Sequence, residues 1–408
     1  MRKSYSVNIF IVAFICLVTG LLYSRFMISL GMVFFLVSGI VNDNPNKGVR
    51  CFFKNRYYLS VSVIFLLFAI SGLWSENTDY FLNRMRIKLP FLFLPYAFFA
   101  APRIDEKKLK NLMYFFIGIL GFSALWSISL FLSDFEHFIK IYGQGQILPT
   151  PIHHIRYSIL ISFAVLFSVY LLVVRHRQLA LKERYILAGT AILLSIYLHF
   201  LAVRSGLLSL YLMGVALFLY LAFQQQYRKW AIALASTMVL LIIISLVFIP
   251  TVRNKIGYMK YSLELFDKNE NIRDLSDSRR LGSIYAGMSL TKEYPILGVG
   301  IGDIMDETNR YLDAHYPELT DLELLPHNQY LLSSASLGIP AMIVFILCTI
   351  WPVFYLGGHK DLLLPASNLM FFGSFMVEHT IESQIGVAVY IFILLFCMKF
   401  VESTKSAL

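Results

Sequence analysis

The sequence predicts an all-α, polytopic membrane protein, and three observations predict it. Hydrophobic residues fill 58% of its 408 positions and charged residues only 15%, for a mean hydropathy of +0.67, far from the composition of soluble domains. The apolar residues gather into stretches near the ~20 residues that cross a bilayer as a helix. Lysine and arginine concentrate in alternate connections between those stretches, as they do in cytoplasmic loops.

About twelve transmembrane helices follow in order: 6–23, 26–41, 57–74, 88–101, 111–133, 157–174, 185–203, 205–223, 230–249, 328–356, 362–380 and 385–401. The fourth is the weakest, since KLPFLFLPYAFFAAP is short and holds Pro90, Pro95 and Pro102; a re-entrant or broken helix is the alternative there. The seventh and eighth form one apolar run, 185–223, divided by the turn Arg204-Ser205-Gly206.

With the N-terminus inside, Arg2 and Lys3, the 47–56 connection, Arg103 to Lys110, Arg175 to Arg184, and Arg228 with Lys229 all fall on the cytoplasmic side. The cluster Arg84, Arg86 and Lys88 breaks the pattern by falling outside. The formal net charge of +10 is thus mostly a topology signal, and no aromatic-interleaved basic stripe points to nucleic acid. The first apolar stretch follows Arg2 and Lys3 but has no small-residue cleavage site, so it reads as a retained helix. Cys16, Cys51, Cys348 and Cys397 lie in spans or on the cytoplasmic side, which excludes a disulfide framework.

Residues 250–326 break the rhythm of helix and short loop. Thirteen acidic and nine basic residues leave this segment a net −4, as suits an exported loop. YSLELF, RRLGSIYAGMSLTKEYP and NRYLDAHYP space their apolar residues as helices do. The division is therefore 1–249 with spans one to nine, 250–326 as a periplasmic helical loop, and 327–408 with spans ten to twelve. A loop of this length is usually functional. No internal repeat is detectable, which argues against an inverted-repeat transporter.

Three places carry residues suited to chemistry. In LLPHNQYLLSSASLGIP, Pro326 suits the first turn of a helix, which sets His327 and Asn328 at a helix N-terminus. Such a terminus disfavours imidazolium and favours anions; the plain alternative is an interfacial histidine bonded to the loop. Arg204 interrupts an apolar run, where an ionisable side chain usually faces a polar cavity, the plain alternative being a snorkelling turn residue. Arg279 and Arg280 open SRRLGSIYAGMSLTKEYPILGVGIGD, whose glycines let a backbone turn approach something closely. No strand precedes that run, which excludes a dinucleotide fold. All three places fall on the outer face, and guanidinium forks with a neutral imidazole suit the displacement of a diphosphate.

PHNQYLLSSASLGIP, RRLGSIYAGMSLTKEYPILGVGIGD and VRSG resemble the signature segments of the O-antigen ligase and polymerase superfamily, and their order along the chain matches too. The resemblance implies a GT-C-like membrane glycosyltransferase of the bacterial inner membrane with its site facing the periplasm. The implied donor is a glycan on undecaprenyl diphosphate, the implied acceptor a hydroxyl of lipid A-core, and the implied mechanism is inverting, with no cofactor and no metal. Arg204 and Arg280 then hold the diphosphate and His327 is the general base. Ile284 stands where the family often has tryptophan, which leaves Arg279 open beside Arg280. Further substrate contacts are expected from Arg279, Asn328, Arg84, Arg86, Lys88, Arg156 and His154. Glu378, His379 and Glu382 are either a structural cluster or part of the cavity, and Asp321 with Glu323 is the alternative metal pair. A polymerase of the same superfamily and a polysaccharide or lipid transporter are the competing readings.

Overall fold

A computed structural model describes residues 2–42, 45–136, 138, 148–248, 250–268, 270, 272–320 and 322–405. Every regular element among them is helical. The first half comprises α1 (Arg2–Tyr23), α2 (Arg25–Asn42), α3 (Pro45–Lys54), α4 (Arg56–Ile70), α5 (Thr78–Ala100), α6 (Glu106–Ser133), α7 (His154–Val174), α8 (Leu181–Leu201), α9 (Arg204–Ala222) and α10 (Arg228–Phe248). Next come α11 (Pro250–Lys268), α12 (Ser276–Glu293), α13 (Ile304–His315), α14 (Gln329–Leu337), α15 (Ile339–Phe354), α16 (Leu363–Val377) and α17 (Gln384–Lys405).

Among the described residues nine helices are long and apolar enough to cross a membrane. They are apolar on all sides, which suits burial in protein and contact with lipid equally. Neighbours decide between the two. The apolar window of α17 is 89% buried and that of α10 only 11%, so α17 is the axis of the bundle and α10 a rim helix. The α1–α2 hairpin packs closely because its small residues meet: the Ser6 hydroxyl donates to the Ser38 carbonyl at 2.7 Å and the Ser38 hydroxyl to that of Ser6 at 2.8 Å.

Two expectations need correction. The fourth apolar stretch is part of a longer, unbroken helix and not the segment 88–101: α5 runs through Pro90 and Pro95 and starts ten residues before Lys88, capped by the Asn77 side chain on the Tyr80 amide. The charges of its first half are what kept the sequence reading from extending it. The apolar stretch 328–356 is two helices rather than one, because Gly338 takes φ +84° between α14 and α15. A Cβ there would lie 2.0 Å from the Ile296 carbonyl oxygen; the bend and the close approach both require glycine.

The segment after α10 has its own small apolar cluster of Phe266, Ile272, Leu312, Leu319 and Leu324. The run from Pro295 to Asp303 straps it to the bundle. Val299 and Gly300 amides donate to the Ala335 and Ser336 carbonyls, each at 2.9 Å, and the Ile339 amide to Pro295 at 2.8 Å. At the far end of the strap, the Asp303 carboxylate accepts the Glu76 and Asn77 amides at 2.9 and 2.8 Å. The glycines therefore let the strap meet the backbone of α14, with Gly298 at φ +66° beside Ser336.

Candidate functional site

Arginines, histidines and carboxylates from α7, α9, α12 and the turns before α14 and after α16 converge at one end of the bundle. Helix phase selects them on α12: Asp277, Arg280 and Ser283 recur every three residues, so they share a face. Arg204, the first residue of α9, follows Ala202 in the left-handed conformation at φ +49°. Its guanidinium forks onto Asp277 at 2.7 and 2.8 Å. One turn further along α12, Arg280 is ion-paired with Glu378, whose side chain is 7% exposed. Arg156 donates to the Ser383 hydroxyl at 3.1 Å.

His327 sits beside this pair. Its Nδ1 lies 3.1 Å from the Ser283 hydroxyl oxygen. That hydroxyl donates its one proton to the Arg280 carbonyl at 2.8 Å and accepts the His327 amide at 3.2 Å. Ser283 therefore receives Nδ1–H, which leaves the lone pair on Nε2. The His379 ring stands edge-on, 4.8 Å between centroids, and its Nδ1 is buried with no hydrogen-bond partner among the described residues.

Burial, with His379 and Arg280 adding to it, lowers the His327 pKa to about 3. Burial and the cations Arg156, Arg84, Arg280 and Lys88 lower that of His379 to about 4. His153 is lowered by burial, then by Arg156 and Arg280. Glu378 is raised by burial even though Arg280 and Arg156 oppose the rise. The result is a cluster in which burial, with the neighbouring cations adding to it, keeps protons off the imidazoles.

His327, Glu378 and His379 are also a possible metal set, with ligand atoms within 4.8 Å of one another. Two imidazoles and a carboxylate suit zinc in chemical type. Here Glu378 is engaged by Arg280, and the cations Arg156, Arg84 and Lys88 that face His379 act against a dication as well. Of the alternative acidic pair, Asp321 lies outside the described residues.

The structure brings Arg204, Arg280, His327 and Arg156 to this end of the bundle; Arg84 is nearby, donating to the Glu382 carbonyl at 2.9 Å, and the remaining candidates are engaged elsewhere or as supports. Arg279 instead turns back toward the start of α12 and donates to the Arg273 carbonyl at 2.6 Å. Arg86 is bonded to Asn83 on an exposed face. Lys88 is 0% exposed and bound to Glu382 at 2.6 Å, so it is an internal cation. Asn328 caps α14, accepting the Leu331 amide at 3.0 Å while its amide group donates to the Met376 carbonyl. The helix thus begins at Gln329, and Pro326 and His327 precede it, contrary to the expected Pro-first turn; the Asn328 side chain sets the start. His154 stacks on His153 at 4.3 Å. Sequence reasoning missed Asp277 and Ser283; their three-residue spacing about Arg280 was the available signal. A separate cavity of about 320 Å³ lies at the opposite ends of α7 and α9, around Arg175, His176 and Tyr220, and includes none of these residues.

The fold is that of a multi-pass helical membrane protein, with this cluster of arginines, histidines and carboxylates at one end of its bundle. Residues 189–346 match the family described as O-antigen ligase, which bears out the resemblance over that part of the chain. The matched stretch runs from α8 into α15 and contains Arg204, Arg280 and His327, while Glu378 and His379 lie beyond it. No curated protein matches the chain.

Proposed function

We propose that the protein is an O-antigen ligase of the bacterial inner membrane, moving a glycan from undecaprenyl diphosphate to a hydroxyl of lipid A-core at the periplasmic face. The observation that carries this reading is a neutral, partly buried imidazole beside guanidinium groups whose charges are held by buried carboxylates. In the free protein Asp277 and Glu378 keep Arg204 and Arg280 oriented. A guanidinium has five N–H donors, and Asp277 uses two of those on Arg204, so phosphate oxygens can be bound without breaking the pair.

In the transfer, the acceptor oxygen attacks the anomeric carbon from the side opposite the diphosphate. The new carbon–oxygen bond forms as the bond to the phosphate oxygen breaks, which inverts the configuration. The acceptor proton passes to His327 Nε2, and the electron pair of the broken bond stays with the diphosphate, where Arg204 and Arg280 meet the growing charge. These cations fill the part a metal plays elsewhere. The division into 1–249, 250–326 and 327–408 places the strapped loop over this face. Twelve crossings result when α5, α15 and α16 are added to the nine longest apolar helices, with both termini cytoplasmic and membrane lipid around the rim.

A base with a pKa of about 3 is weak until the donor arrives. The diphosphate brings negative charge next to the ring and raises its proton affinity, so basicity develops only with donor in place. The acid limb of kcat, set by the donor complex, is therefore expected at higher pH than that of kcat/KM, set by the free protein. Both limbs lie on the acid side, because protonation removes the base. Initial rates from about pH 2.5 to 8, each after brief exposure to the assay pH, measure the two; coincident limbs would contradict the donor-induced shift.

Deletion of the gene separates this reading from the polymerase. Loss of a ligase leaves long polymer unattached to lipid A-core, whereas loss of a polymerase leaves core bearing a single repeat unit. The first phenotype is expected.

A further inference from the structure

Lys88, Glu382 and Gln329 are buried together, and no step of the transfer uses them. Lys88 Nζ donates to Glu382 Oε2 at 2.6 Å, with side chains 0% and 1% exposed. The other carboxylate oxygen accepts from Gln329 Nε2 at 3.1 Å. Gln329 is held in return, its Oε1 accepting the Ile381 amide at 3.1 Å. Arg84 donates to the Glu382 carbonyl at 2.9 Å and Arg156 to the Ser383 hydroxyl at 3.1 Å. The turn 381–383 is thereby fixed from α5, α7 and α14.

The two ends of this cluster are the two halves of the site. Gln329 is two residues after His327, and Glu382 is four residues after Glu378, the partner of Arg280. Neither half is set by regular secondary structure: His327 lies ahead of α14, and Glu378 follows the end of α16. Lys88 itself reaches no solvent and lies 4.4 Å from the Phe68 ring centroid. As packing, a buried ion pair offers little that apolar side chains would not. Its directional bonds instead fix a distance, and in a displacement reaction a misplacement of about 1 Å can cost on the order of 10²-fold in rate.

We infer that Lys88 is a positioning residue, acting through Glu382 and Gln329 to fix His327 relative to the Glu378–Arg280 pair; this rests on the assignment of His327 and Arg280 to the transfer reaction. Lys88 has no contact with the substrate in this arrangement. Its charge serves Glu382, and removing both charges together should therefore be tolerated better than removing one.

The test compares Lys88→Met, Lys88→Met/Glu382→Gln and Gln329→Leu in purified protein, reading kcat, donor KM and melting temperature. Lys88→Met leaves a buried carboxylate unpaired; kcat is expected to fall about 10- to 100-fold with donor KM nearly unchanged, and the melting temperature to drop. In the double variant the neutral amide at position 382 still accepts from Gln329, and both kcat and melting temperature should return most of the way. Where Lys88→Met fails to reach the membrane, Gln329→Leu carries the test, with the same loss in kcat at unchanged donor KM. Full activity in Lys88→Met or in Gln329→Leu overturns the proposal. So does a double variant that melts like wild type yet stays as inactive as Lys88→Met, since the lysine would then act on the substrate itself. Wild-type protein that transfers no glycan removes the underlying reading, an outcome distinct from wild-type transfer with uncoupled variants.

Discussion

Alanine at His327 is expected to lower turnover on the order of 10² to 10⁴-fold, the usual range for a lost general base, while the protein still binds lipid-linked diphosphate. The ring is anchored by Ser283, which meets both its Nδ1 and its backbone amide. Its removal leaves no charge unpaired, since the free imidazole is neutral. The proposed donor contacts, Arg204, Arg280 and the neighbouring cations, are left in place by the substitution. The split between a large loss in kcat and a small change in donor binding is what marks a base. Equilibrium binding of a polyprenyl diphosphate and single-turnover transfer, measured on the same preparation, check both halves. Equal loss of both would make His327 part of the anion site instead.

The second large effect is expected at Arg280. Arg280→Ala should weaken donor binding and turnover together, because a guanidinium on the diphosphate acts in the ground state and more strongly as charge develops on the leaving oxygen. It should also destabilise the protein, leaving the buried Glu378 carboxylate without its cation. A fully buried pair broken in this way costs about 3–5 kcal/mol; with Arg280 29% exposed, the cost should be smaller. Arg280→Ala/Glu378→Gln removes the stranded charge and should restore the melting temperature without restoring transfer. Arg280→Lys should rescue poorly, since an ammonium does not reproduce a fork that serves Glu378 and a phosphate at once. The same comparison at Arg204 should show less effect on stability, because its side chain is 44% exposed and its pair correspondingly screened. Transfer at wild-type rates in Arg280→Lys would show that only a point charge is needed there.

Arg204 and His327 stood out in the sequence because each interrupts or borders an apolar run where an ionisable residue has to find a polar neighbour, and Arg280 because the segment it opens resembles the family's. The choice of Arg280 over Arg279 rests in the structure on helix phase, which places Asp277 and Ser283 three residues to either side of Arg280. Arg84, Arg86 and Lys88 read alike as a surface cluster, since a run of charges does not say which side of a helix meets water; the fates of Arg84 and Lys88 depend on Glu382, nearly 300 residues away. The break at Gly338 was hidden for a related reason. A glycine in an apolar run looks like a tolerated helical residue, and its positive φ is imposed by the strap at Ile296. Glu378 and His379 were visible as a polar cluster, but their meeting with Arg280 and His327 is a tertiary event that no local pattern encodes.

The central claim is tested most directly by one measurement: purified protein supplied with an undecaprenyl-diphosphate glycan and lipid A-core, in EDTA and without an energy source. The account predicts glycan joined to core with inverted anomeric configuration and release of undecaprenyl diphosphate, at a rate unaffected by the chelator. Glycan that stays on its carrier would contradict it in favour of transport, and transfer abolished by EDTA and restored by a divalent cation would contradict the role given to the arginines.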